Sequence, residues 1–223
     1  VHPDDAFAME QEGEYGKNEM WHILDCEEGA RLYCGVRKDV TREEVEKALE
    51  EGKLLDLLNE ERVHKGDTIF IPAGTVHAIG AGIVLCEIQQ NSNSTYRIYD
   101  YGRRDKYGNE RELHIDKAMQ VMQLSRSECR NICSGAVQQG KGYMKQLLGQ
   151  CKYFECVKLE VESEACIVLE ESSFTAVVVV QGSGRLEVSG TELEYSRGDT
   201  FFIPAGETRL EVHGTCRLIM ARV

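Results

Sequence analysis

The segment KGDTIFIPAGTVHAIG, Lys65 to Gly80, returns near the other end of the chain as RGDTFFIPAGETRLEV, Arg197 to Val212. A repeat of this kind means that one β unit occurs twice, and that the two copies share a corner in which a strand runs into Pro-Ala-Gly and turns back. The copies differ where it matters chemically. His77 of the first stands where Arg209 stands in the second, so a metal-type ligand survives only in the first copy, and function is expected in the first half of the chain.

The rest of the chain agrees with a β protein. Beyond Cys151 the text reads FECVKLEV, ACIVLEE, FTAVVVVQG, GRLEVSG, DTFFIPAG and CRLIMARV, short β-branched runs separated by Gly, Ser and charged turns. That spacing predicts a sandwich or barrel of jelly-roll type. Further upstream, His64 to Pro72 predicts a strand. TREE at Thr41 offers an N-cap and capping box, and Val45, Ala48, Leu49, Leu54, Leu55 and Leu58 extend an apolar stripe, so one helix is expected over Thr41 to Glu60. A second is expected over Asp116 to Leu124, followed by a polar, glycine-containing stretch from Ser125 to Gly149 that holds the domain boundary. The division is therefore 1–125 and 126–223.

Several function classes are excluded. A formal net charge of −12 leaves no broad basic surface for nucleic acid, and no apolar run approaches the roughly 20 residues that span a bilayer. Nine scattered cysteines without a CxxC pair, the nearest spacing being Cys129 and Cys133, indicate reduced thiols and a cytoplasmic setting. Cys86 reads as a small buried hydrophobe rather than a nucleophile. The chain opens on Val1 and HPDD, with neither an initiator methionine nor a secretory pattern, and reads as beginning inside a longer protein.

In the first copy Gly66, Pro72, Gly74 and His77 form G-x5-P-x-G-x2-H, which projects His77 from the return strand. A lone histidine there is more often structural, so other ligand types are needed. His2 in VHPDD and Glu19 in GKNEMW supply a second imidazole and a carboxylate, a set that suits zinc with positions open to substrate or water.

Together VHPDD, GKNEMW, GDTIFIPAGTVHAIG and LCEIQQNSNSTYRIYDYGR resemble the type I phosphomannose isomerases, especially the short bacterial form, over Val1 to about Met122 and more loosely beyond. The resemblance implies two cupin β-barrels of jelly-roll type with a few helices inserted in the first, the second being free of metal. It implies one zinc ion held by His2, Glu19 and His77, with a glutamine expected immediately before Val1. The implied reaction interconverts mannose 6-phosphate and fructose 6-phosphate through a cis-enediol, with a sugar phosphate as the small-molecule partner. Lys17 shares a strand face with Glu19 and is expected to bind substrate oxygens or move a proton. Glu87, behind the apolar IVLC, is an acid or base candidate, and the planar fork of Arg97 suits phosphate or sugar oxygens. Asn93 stands where the family pattern often has Asp. His22 falls out of phase with the inward face, His64, His114 and His213 fit no metal pattern, and Arg103 to Lys106 reads as a solvated turn. Two rival readings are a non-catalytic sugar-phosphate-binding cupin and an iron-dependent cupin oxygenase. The polar lining of Lys17, Glu87 and Arg97 disfavours the oxygenase.

Overall fold

A computed structural model describes residues 1–127 and 135–223. The boundary expected at 125/126 borders a stretch that, with Cys129 and Cys133, lies outside the described residues. The chain divides into two compact units, Val1–Asn131 and Ile132–Val223.

In the first unit, helix α1 (Asp5–Gln11) is capped by Asp4, whose carboxylate accepts from Phe7 N. Strands β1 (Glu19–Cys26) and β2 (Arg31–Val36) follow. Helix α2 (Arg42–Glu50) carries the capping box formed by Thr41 and Glu44. It ends well short of Glu60, because Gly52 takes a left-handed φ of 68° just past the C-cap. The apolar stripe continues instead as a short 3₁₀ turn, Leu54–Leu57, and strand β3 (Leu58–Arg62). The strand expected over His64 to Pro72 is reduced to β4 (Thr68–Ile71), since His64 to Asp67 form a turn closed by Asp67 N donating to His64 O. Strands β5 (His77–Ile79) and β6 (Ile83–Gln89) and helix α3 (Ile115–Val121) complete the unit. Helix α3 stops before Leu124 because Met122 turns extended.

These strands make two three-stranded sheets, β4-β1-β6 and β3-β2-β5. Trp21, Ile23, Leu32, Ile69 and Ile71 from both sheets share one buried cluster. A second cluster binds Val45 of α2 and Ala118 and Met119 of α3 to Val36, Val76, Tyr96 and Ile98. The helices therefore lie against the β framework as apolar-faced additions to it.

The second unit is almost wholly β. Strands β7 (Gln138–Gly140) and β8 (Tyr143–Gln150) occupy the stretch expected to be a polar linker. Their turn signals, Gly140 and Gly142, had masked a hairpin, with Gly142 at φ 77°. After β9 (Glu155–Val161) and β10 (Glu164–Val168) comes β11 (Thr175–Val188), a single 14-residue strand where two strands were expected. A register shift between Val179 and Gln181 lets it bend and continue. Strands β12 (Thr191–Ser196), β13 (Thr200–Ile203), β14 (Arg209–His213) and β15 (Cys216–Arg222) close the unit. The strand order is β10-β14-β11-β15-β9-β8-β7, with β12 and β13 also paired to β11. The protein is thus mainly β, with a barrel-shaped sheet.

No helix among the described residues is long and apolar enough to cross a membrane. Cys26, Cys86, Cys151, Cys156, Cys166 and Cys216 are free, whereas Cys34 is disulfide-bonded, which corrects the expectation of uniformly reduced thiols.

Candidate metal centre

The repeated corner does the same backbone work in both copies. Gly74 (φ 84°) and Gly206 (φ 99°) take the left-handed turn after Pro-Ala. Each then donates its N–H to a distant carbonyl, Gly206 to Glu171 O at 2.8 Å and Gly74 to His2 O at 2.7 Å. In the first copy the corner therefore holds the backbone of one candidate ligand while the return strand β5 presents another, His77.

His2, Glu19 and His77 each offer a ligand atom within 4.8 Å of the others. Glu19 opens β1, hydrogen-bonded between β4 and β6 with Ile71 and Gln89 opposite, so its backbone is held on both edges. The His2 Nε2 lies 3.0 Å from Glu19 Oε1, and the His77 Nε2 lies 3.6 Å from Oε2. Both imidazoles are anchored through the other nitrogen. His2 Nδ1 is 2.9 Å from Ser94 O, and His77 Nδ1 is 2.8 Å from Thr75 O. A carbonyl can only accept, so each Nδ1 carries the hydrogen and each Nε2 turns a lone pair toward the same point.

The electrostatics favour the ligating states. Burial pulls His77 down to about 3, which keeps its imidazole neutral. Burial alone would raise Glu19. Close contact with His2, His77 and Lys17 outweighs that cost and holds it at about 2. Two imidazoles and a buried carboxylate are the donor set of a borderline divalent ion, and these residues fit one.

Lys17 stands beside the group, its Nζ 3.1 Å from Glu19 Oε1 and its side chain 12% exposed. Glu87 lies opposite Trp21 across the β1–β6 pair, and its Oε2 accepts from Trp21 Nε1 at 3.0 Å. Partial burial, followed by the charge of Glu19, raises its carboxyl. Arg97 is placed differently. Its Nη1 donates to Glu112 O at 3.0 Å, with no hydrogen bond to the ligand group. Cys86 is buried, and burial with the Glu87 charge pushes its thiol up to about 11, so it has little nucleophilic character.

The other histidines are engaged elsewhere. His22 is buried on the opposite face of β1 with Nδ1 2.8 Å from Thr68 Oγ1, His64 lies 3.6 Å from Asp67, and His114 Nδ1 accepts from Arg97 N. Arg103 and Arg104 pair with Asp100 and Glu110 respectively. In the second unit Glu187, Glu211 and His213 also come together, a grouping the sequence did not suggest. The cross-strand register of β11 and β14 brings Glu187 opposite Glu211. Glu211 is already paired to Arg209 at 3.0 Å.

Asn18 was passed over in the sequence. Its Oδ1 accepts from Ala73 N in the corner at 3.0 Å, and its Nδ2 donates to Gln90 Oε1 at 2.7 Å, tying the residue just before β1 to the corner that precedes β5 and to the end of β6. Ser94 and Thr75 act through backbone carbonyls, which any residue supplies, so no sequence signal could have revealed them. The corner itself is testable. A Cβ on Gly74 would lie 2.8 Å from Val121 O, on a backbone that L residues rarely adopt. Gly74→Ala is expected to cost about 1–2 kcal/mol from the left-handed conformation alone. Urea unfolding would report the loss, and a zinc titration should weaken in parallel as His2 is displaced.

A mainly β framework of cupin-like strands thus carries a His-Glu-His group able to hold a metal ion, the class of a cupin with a candidate metal site. Residues 144–223 match the family described as "Mannose-6-phosphate isomerase, cupin domain". The chain is 35% identical over 219 residues to the mannose-6-phosphate isomerase ManA of Bacillus subtilis (strain 168), covering 97% of this chain and 68% of that protein. It is 33% identical over 204 residues to the mannose-6-phosphate isomerase of Streptococcus mutans, covering 92% of this chain and 63% of that one. The crystal structure of the mannose 6-phosphate isomerase from B. subtilis superposes with a TM-score of 0.91 at 34% identity, over 100% of this chain and 70% of that one. At 35% identity over 97% of its own length and 68% of the relative's, the chain belongs to the mannose-6-phosphate isomerase family, the type I phosphomannose isomerases of the cupin superfamily.

Proposed function

We propose that this protein interconverts mannose 6-phosphate and fructose 6-phosphate, using one zinc ion held by His2, Glu19 and His77. The observation that carries the reading is the convergence of two Nε2 lone pairs on one buried carboxylate, each imidazole fixed by a carbonyl behind it, in a member of this family. We assign the catalytic cupin barrel to 1–125, and a linker and second, metal-free barrel to 126–223. A cytoplasmic setting and a small-molecule sugar phosphate as partner belong to the same proposal.

The reaction moves a proton between adjacent carbons through a cis-enediol, so negative charge develops on two neighbouring oxygens. Bound zinc would supply Lewis-acid polarisation of those oxygens. The protein's own residues supply the rest. Lys17 spends one N–H on Glu19 and keeps two to orient substrate oxygens. Glu87 suits the proton transfer, because burial and the Glu19 charge raise its carboxyl and make it easier to protonate than an ordinary carboxylate. Arg97 would exchange its bond to the Glu112 carbonyl for a bidentate grip on the phosphate or on sugar oxygens.

A coupled assay of mannose 6-phosphate conversion tests the reading. Turnover that a chelator removes and zinc restores is the expected result. No turnover from protein with zinc demonstrably bound would overturn it in favour of a sugar-phosphate-binding cupin.

A further inference from the structure

The chain contains a single tryptophan, Trp21, and its position on β1 gives it two neighbours that no purely space-filling residue requires. Residues two apart on a strand share a face, so Glu19 and Trp21 of β1 point the same way, and the β1–β6 register sets Glu87 directly opposite Trp21 on that face. The indole is 2% exposed and packs with Ile23, Ile69 and Ile71. Its ring meets His77 edge-on, with centroids 5.3 Å apart at 85°. Its Nε1–H does not lie idle in that core. It donates to Glu87 Oε2 at 3.0 Å.

A phenylalanine would fill most of the same volume and make the same edge contact. What only tryptophan adds is a donor that cannot accept, aimed at a carboxylate. We propose that Trp21 is a positioning residue that orients the Glu87 carboxylate toward the space above the ligand group while its ring seats His77. This rests on the reading of Glu87 as the proton-transfer group. A strand carboxylate with room around it samples several rotamers, and proton transfer to carbon demands one of them. A fixed donor on one oxygen selects that rotamer and leaves the other oxygen free. It does so without adding a positive charge that would discourage protonation, as a lysine or arginine in the same place would.

The test is a double-mutant cycle on the zinc-loaded protein, comparing Trp21→Phe, Glu87→Ala and the pair, with kcat, KM and bound zinc measured for each. Trp21→Phe is expected to keep one zinc per chain and an unchanged KM while kcat falls about 10- to 100-fold, the range for losing a hydrogen bond to a charged group. In the Glu87→Ala background the same change should cost nothing further, because both substitutions remove one function. The lone tryptophan also reports the contact without turnover: its emission should shift in Glu87→Ala and stay unchanged in the distant Glu60→Ala. Full kcat in Trp21→Phe, or a loss that adds to that of Glu87→Ala, would overturn the positioning role. Unchanged emission in Glu87→Ala would overturn the contact itself. A clear emission shift with no turnover from the parent protein would instead mark failure of the isomerase reading. The contact would then stand, and its catalytic role would not.

Discussion

His77→Ala should remove both the zinc and the activity, with turnover falling ~10³-fold or more, since a bound divalent ion contributes several kcal/mol to stabilising developing oxyanions and each 1.36 kcal/mol is tenfold in rate. Structural damage should be small. His77 begins a three-residue strand, and its ring touches Trp21 and His2 rather than carrying the main core. The substitution leaves Glu19 with Lys17 at 3.1 Å and His2 at 3.0 Å, so the buried carboxylate keeps partners and the unit should still fold. Circular dichroism and zinc analysis on the purified variant separate the two effects. A well-folded His77→Gln variant that kept stoichiometric zinc and full turnover would place the metal elsewhere.

The largest effect on stability is expected in the second unit. Leu218 on β15 is fully buried, with Val179 of β11 and Leu159 of β9 as its cross-strand neighbours. All three belong to the cluster that also holds Leu210, Val212 and Ile167. Because β15 is hydrogen-bonded on both edges, the backbone cannot collapse to fill a void. Leu218→Ala should therefore cost about 2–5 kcal/mol, read as a lower urea midpoint for the transition of that unit. Because the proposed site lies wholly in the first unit, turnover per zinc-loaded molecule should hold at temperatures where the variant remains folded. A cost below about 1 kcal/mol, under the usual range for such a truncation, would show that the site is less tightly packed than its burial implies.

Much of this was legible in the linear chain because the signals are local. The Pro-x-Gly corner and its repeat depend on a few adjacent residues with restricted backbone angles, as does the capping box at Thr41, whereas Lys17, expected on one strand face with Glu19, lies just ahead of β1. The failures share a cause as well. The apolar stripe from Val45 to Leu58 fits a helix by periodicity, yet Gly52 breaks it, and Leu58 finds its burial as a strand beside β2. The glycines near 140 resemble a linker until β9 supplies the strand that β8 pairs with. The grouping of Glu187, Glu211 and His213 depends on a register between strands more than 20 residues apart, which no local pattern encodes.

By itself the sequence determined that the protein is mainly β with a duplicated corner, that only one copy kept a histidine there, and which residue types could serve as ligands. These follow from backbone sterics and side-chain chemistry, which act over a few residues at most. Only the tertiary structure decided that His2, Glu19 and His77 meet, and that their free nitrogens face one carboxylate. It also decided that Trp21 reaches Glu87 while Arg97 turns to the Glu112 carbonyl. Those facts rest on carbonyls of Ser94 and Thr75 and on the amide of Gly74, groups that every residue carries and no sequence letter marks. Their placement comes from the packing of strands distant in the chain, where hydrogen-bond register and core volume together fix positions to within an ångström or so.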